Sequence, residues 1–222
     1  MFYGEDLFND FGDWLDKTVK AAADNTNLVW LIKLHPANLW KLARENNSQK
    51  LSDFDIIHNA IGKKLPLHMR ILEPDCGIST FSLFCSIDYG VTVRGTTGME
   101  LPCFGKPTFL AGTGRYSGLG FTIDSSTSEE YLSRLAEIQY YSPMTKEQVI
   151  LAKKHALAAF KRRAWVMKSF KATFNYQEKG SHPLDHDLHP AAKSIEDIQH
   201  NKDLSQWAEW AGDDKLDFLS DL

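Results

Sequence analysis

LVWLIKL, residues 28–34, is an apolar run broken only by Lys33. It has strand length and is too short for an ordinary helix. Strands buried on both faces of a parallel sheet read as near-continuous apolar runs of this kind. The run therefore predicts a parallel strand covered on both sides. Asn25 to Asn27 precede it and end an amphipathic helix expected over 5–24. Leu7, Phe8, Phe11, Trp14, Leu15, Thr18 and Val19 recur there at three- and four-residue spacings.

Downstream the pattern alternates. Residues 38–46 and part of 53–65 read as helix, and MRIL (69–72) as a second strand. A helix over 79–86 starts at a Ser/Thr cap. GVTVR (90–94) is a third strand, GTTGMELPCFG a turn and short helix closed by Gly105, and PTFLAG (107–112) a fourth strand. GFTI (120–123) is a fifth, and 128–139 a helix with Glu129 and Glu130 in its first turn. Short apolar strands alternating with helices define an α/β fold: a Rossmann-like, three-layer domain with a mostly parallel sheet, expected over residues 1–145. Right-handed crossovers put the strand C-terminal ends on one edge, where ligands of open α/β sheets bind.

The chain has 222 residues, with 43% hydrophobic and 24% charged, near the globular average, so wholesale disorder is excluded. Charge divides it in three: residues 1–145 carry a net -4, residues 146–171 a net +7, and residues 172–222 a net -7. The whole chain is at -4, which excludes a uniformly basic nucleic-acid binder. The basic stretch reads as one long helix over 145–174 packed on the domain, with Thr145 and Gln148 as a capping box. The acidic remainder, 175–222, reads as a partly irregular tail. Cys76, Cys85 and Cys103 form neither a disulfide framework nor a CxxC knuckle, and a reducing cytoplasm is the expected compartment. No apolar run approaches bilayer length, and the acidic, aromatic start is unlike a signal peptide.

Four segments follow the strands on the expected edge. In Lys33-Leu34-His35-Pro36, a histidine at a strand end can donate to a phosphate oxygen, with Pro36 stiffening the turn; a structural histidine bonded to backbone is the alternative. Glu73-Pro74-Asp75 offers carboxylates for a ribose or base edge, or simply a turn. Arg94-Gly95-Thr96-Thr97-Gly98-Met99-Glu100 combines glycines that let backbone approach a ligand, hydroxyl donors and a helix start suited to phosphate. Glu100, a turn along, can accept two ribose hydroxyls; an ordinary capped turn with a solvated Glu is the alternative. The stretch is neither a Walker loop nor a GxGxxG fingerprint. Gly112 to Gly120 has four glycines around Arg115 and Tyr116, which can reach a phosphate, base or sugar; a flexible connector is the alternative.

The HP pair after a strand, then GTTGMELPCFGKPTFLAG, then RYSGLGF, resembles the C-terminal half of capsule polysaccharide biosynthesis glycosyltransferases. These are two-domain GT-B enzymes that include Kdo transferases of capsule export. The family's small polar pair, Gly, Glu and Gly-Lys-Pro are matched by Thr96, Thr97, Gly98, Glu100, Gly105, Lys106 and Pro107. Bacterial sialyltransferases share the HP and Ser/Thr-pair motifs, which bind the CMP part of their donor. The resemblance, over residues 28–123, implies that His35, Thr96 and Thr97 bind donor phosphate and Glu100 the ribose of a CMP- or UDP-linked sugar. His35, Pro36, Glu73, Gly95, Thr96, Thr97, Gly98, Glu100, Arg115 and Tyr116 are the candidate binding residues.

The resemblance further implies an upstream acceptor domain that holds the glycan or glycolipid and usually the general base, so this chain is expected to be a donor-binding fragment, inactive alone. No catalytic residue, cofactor or metal is assigned. Sugar transfer by direct displacement would send the nucleotide phosphate toward the Thr96/Thr97 helix end. Two rivals remain: a UDP-sugar 2-epimerase-like half, and a non-catalytic domain holding a nucleotide or glycan. The basic helix 153–171 is expected to present a solvated face or to pair with the acidic tail, with an anionic membrane surface or an acidic glycan as the alternative. His182, Asp185, His186, Asp187 and His189 have metal-like spacing, with a polar loop as the favoured reading. Trp207 and Trp210 are expected to pack rather than bind sugar.

Overall fold

The computed structural model describes residues 6–35, 52–174 and 186–213. The expected helix over 38–46 lies outside them. The chain forms two compact units, residues 1–155 and 156–222.

In the first unit the elements are α1 (Phe11–Asp24), β1 (Trp30–Lys33), α2 (Asp53–Ile61), β2 (Met69–Leu72), α3 (Thr80–Ser86), β3 (Gly90–Thr92), α4 (Thr97–Cys103), β4 (Thr108–Leu110), β5 (Ile123–Asp124), α5 (Ser128–Ala136) and α6 (Lys146–Leu157). Every ladder among them is parallel: β1 with β2, and β3 with β4 with β5. The class is α/β and compatible with a Rossmann-like domain. The one sheet expected from sequence is, among the described residues, two sheets, one of two strands and one of three. Side chains join them, since Trp14 and Trp30 belong to both apolar clusters.

The first cluster centres on Phe8, Phe109, Tyr131, Leu135 and Ile138. The second centres on Leu15, Val19, Leu34, Ile57 and Met69. Helix α1 packs against both α2 and α5. Strand β4 is buried along its whole length, as a middle layer must be. Its pleat turns Phe109 and Ala111 toward α5 and puts Thr108 beside α4. Gly90 is needed at the start of β3 because Leu101 of α4 lies on it: a Cβ there would meet Leu101 Cδ1 at 2.2 Å.

Strand β1 departs from expectation. Trp30, Ile32 and Leu34 face the second cluster, but Leu31 is 42% exposed, so burial on both faces does not hold. Helix α1 also starts later than the periodicity suggests. Asp10 caps it by accepting from the Asp13 amide, and residues 6–8 form an extended strap instead. Leu7 N–H donates to Ala111 O, Asp6 bridges Gly112, and Phe8 lies edge-on to Tyr131.

Two polar residues fasten α1 to α5. Asn25, at the end of α1, donates to Leu135 O at the end of α5 and accepts through its own carbonyl from Trp30 Nε1. Tyr131 is fully buried, and its hydroxyl meets Trp14 Nε1 and Thr18 Oγ1, each at 3.1 Å.

The second unit corrects the long basic helix. Helix α6 ends at Leu157, a π turn spans Ala158–Arg162, and the chain then becomes strand β6 (Phe170–Phe174). That strand pairs antiparallel with β7 (His186–Pro190), followed by α7 (Ile195–His200) and α8 (Lys202–Gly212). Asp203 holds the segment that follows. Its buried carboxylate accepts from the amides of Lys168 and Ser169 and from the Ser169 hydroxyl, each at 2.8 Å, which ties these residues outside any helix. Trp165 donates to Asp203 O and stacks on Trp207. Trp207 therefore stacks within its own unit, where packing on the α/β body or on a missing domain was expected.

Among the described residues, no helix is long and apolar enough to cross a membrane.

Burial pushes the Tyr131 phenol up to about 12, against the pull of its Thr18 and Trp14 partners. The unfolded chain ionises this group near pH 10, so stability is full below that and falls as pH rises toward 12. Denaturation by urea at pH 9 and pH 12 is expected to show a loss of roughly 2 kcal/mol attributable to this phenol, largely absent in Tyr131→Phe.

Candidate functional site

The turn between β3 and α4 is built around the Gly95 carbonyl. It accepts from Gly98 N–H at 2.9 Å and from the Tyr116 hydroxyl at 2.6 Å, using both lone pairs. Tyr116 comes from the loop after β4, so the loops of two neighbouring strands are pinned together at their C-terminal ends. The ring rests directly on Gly98, where a Cβ would meet the Tyr116 oxygen at 2.2 Å. The β4–β5 loop is ordered from within: Gly114 N–H donates to Ser117 Oγ, and Gly118 N–H and the Thr122 hydroxyl to Asp124.

This placement corrects one expectation. Tyr116 is 4% exposed, so it props the turn from behind and does not reach for a base or sugar. It also corrects the helix start. The amides of Gly98, Met99 and Glu100 already donate to the carbonyls of Gly95 and Thr96, each at 2.9 Å. A ligand at this turn meets Gly95 and Thr96, which are exposed, and Thr97 and Glu100, which are half-buried; Gly98 is buried. Thr96 makes no side-chain cap.

Sequence reasoning passed over two cations. Arg94, immediately before the turn, is ion-paired with Asp6 of the strap. Gly114 packs against its Cβ: a Cβ on the glycine would lie 3.4 Å from that of Arg94. Its position next to Gly95 was the available signal. Lys33 donates to Leu34 O and Glu73 O, at 3.1 and 3.3 Å, and so links the ends of β1 and β2. A lone lysine ending an apolar run was its signal. Burial pushes the Tyr116 phenol up to about 12; Asp124 adds to this, while Arg115 and Arg94 oppose it.

His35 follows β1, beyond the Leu34 amide that donates to Leu72 O, and Glu73 follows β2. Both are exposed, as is Arg115. They sit at the C-terminal ends of their strands, as expected, but on the other ladder from the Gly95–Gly98 turn. Pro36 lies outside the described residues, as do His182 and Asp185. Asp187 and His189 alternate along β7, opposite Thr173 and Lys171. Among the described residues, no group of three or more His, Cys, Asp or Glu is placed to hold a metal ion.

Two concavities lie at the opposite edge. A groove of about 470 Å³ runs between α1 and α5, lined by Lys17, Lys20, Asn25 and Leu132. A smaller one of about 180 Å³ is formed before β3 and β4 by Asp88, Tyr89, Lys106 and Pro107.

Comparisons with protein-family models, with curated proteins and with solved structures gave no match to this chain.

The contact between Gly98 and Tyr116 makes a clear prediction. Gly98→Ala should destabilise the protein by about 1–3 kcal/mol, because the ring has to leave. In a Tyr116→Ala background the same change should be stabilising by up to about 1 kcal/mol, since alanine is then an unobstructed helical residue. Thermal or urea unfolding of the four proteins checks it; a cost that is unchanged between backgrounds would show that the ring is not what excludes a side chain.

Proposed function

We propose that the first unit binds a nucleotide sugar through its phosphate ester, as the donor half of a GT-B glycosyltransferase of surface-polysaccharide synthesis. What carries the reading is the turn from Gly95 to Gly98: propped from behind by Tyr116, it keeps Gly95 and Thr96 exposed at a strand C-terminal edge beside Arg94. Fixed donors meet an anion without reorganising, and a guanidinium takes phosphate oxygens in pairs. The parallel α/β architecture and the resemblance over 28–123 support the same site.

In this reading Thr96, Thr97 and Arg94 meet the phosphate oxygens. Glu100 accepts the ribose hydroxyls, and His35, Glu73 and Arg115 line the approach. The reaction is displacement at the anomeric carbon by an acceptor hydroxyl. The oxygen of the nucleotide phosphate takes the bonding pair as it leaves, and the protein's part is to stabilise that charge. The acceptor, a glycan or glycolipid, and the base that takes its proton belong to a partner domain. The reading places the protein in the cytoplasm, with the basic stretch 153–171 against the inner membrane.

Calorimetric titration with CMP, UDP and GDP tests it. One nucleotide should bind saturably, and Arg94→Gln or Thr96→Ala should weaken it by roughly three- to tenfold, the worth of one lost polar contact to phosphate. Absence of binding by all three nucleotides would refute the site.

A further inference from the structure

Arg94 already holds an anion. Its side chain, 25% exposed with the Nη2 atom buried, is paired with the carboxylate of Asp6, whose side chain is 48% exposed. We propose that Asp6 is a resident substitute for the ligand's phosphate on Arg94, making the strap at residues 6–8 a self-inhibitory contact that an incoming phosphate ester displaces. The proposal rests on the phosphate-ester reading of the turn given above, and deepens it by naming the group that competes.

Three features of the strap support it. First, Asp6 is delivered by backbone. Leu7 N–H donates to Ala111 O, Asp6 bridges Gly112, and Phe8 is buried against Tyr131. The carboxylate therefore stays near Arg94 whether or not it is paired. Second, the anchor is Phe8, two residues away. Releasing Arg94 takes a side-chain rotation at Asp6 and leaves Phe8 and the core around it in place. Third, the contact is of the kind that yields. A part-exposed ion pair is weak and screened by salt, whereas a phosphate offers more charge and a paired set of oxygens to the same guanidinium.

The site also explains why a stand-in is useful. Arg94 lies between two loops, next to Gly95 on one side and packed against Gly114 on the other. A largely covered cation without an anion is costly, and Asp6 offsets that cost in the ligand-free protein. Binding then exchanges one anion for another, so that affinity is lowered by the strength of the Asp6 contact.

The test is calorimetry at low ionic strength on the full chain, with CMP and cytidine as probes. Asp6→Asn should bind CMP about two- to fivefold more tightly than wild type, the range of a part-exposed ion pair. Asp6→Glu should bind as wild type does. The gain should shrink in added salt, vanish in an Arg94→Gln background, and not appear with cytidine, which lacks the phosphate. If wild type binds CMP and Asp6→Asn binds it equally, the strap is not inhibitory and the phosphate-ester site stands. An equal gain with cytidine also overturns the strap, since the effect would then not act on phosphate. If neither wild type nor Asp6→Asn binds CMP, UDP or GDP, both the site and the strap fail. Matched thermal melts of Asp6→Asn and Asp6→Glu show whether both variants keep the native fold.

Discussion

Gly98 has no side chain because Tyr116 occupies the space where one would be. That exclusion fixes the candidate edge. The phenol reaches past Gly98 to the Gly95 carbonyl, so the loop after β4 and the turn after β3 become one assembly. Burial keeps the phenol protonated, and therefore a donor, at any ordinary pH. The Gly95 carbonyl accepts this hydrogen bond together with the one from Gly98 N–H. Gly95 and Thr96 of this turn remain exposed.

The charges around this assembly are arranged asymmetrically. Arg94 and Arg115 oppose the upward push on the Tyr116 phenol, and Asp124, which also accepts from Gly118 and Thr122, adds to it. The first-turn amides of α4, the donors that a phosphate would ordinarily find at a helix start, are committed to carbonyls of the same turn. In the proposed reading, the burden of binding an anion thus shifts from helix backbone to a guanidinium and hydroxyls. Arg94 is then the central cation, and Asp6 is the carboxylate paired with it.

Much of this was legible in sequence. MRIL reads as a strand with the bounds the structure gives, Met69–Leu72, because a short apolar run between turn residues has few alternatives. The β3–turn–α4–β4 block was legible because glycines and a Gly-Lys-Pro punctuate it. What failed depended on residues far apart in the chain. Val166 and Phe170 satisfy helical spacing, but the helix has ended by Arg162, and Asp203 holds the amides of Lys168 and Ser169 outside it. A tyrosine in a glycine-rich loop looks ready to reach a ligand; only its contact with Gly95 and Gly98 shows that it faces inward. Likewise no local pattern announces that Asp6 meets Arg94, or that Leu31 lies on the uncovered side of β1.

The central claim is that this propped turn, with Arg94, is where the protein receives a phosphate ester. Amide-resolved NMR of the labelled chain titrated with CMP and UDP tests it most directly. The account predicts saturable shifts concentrated at Arg94 to Thr97 and in the loop around Arg115, with the α1–α5 groove unmoved. Shifts confined to Lys17, Lys20 and Asn25 in that groove, or none at all, would contradict it.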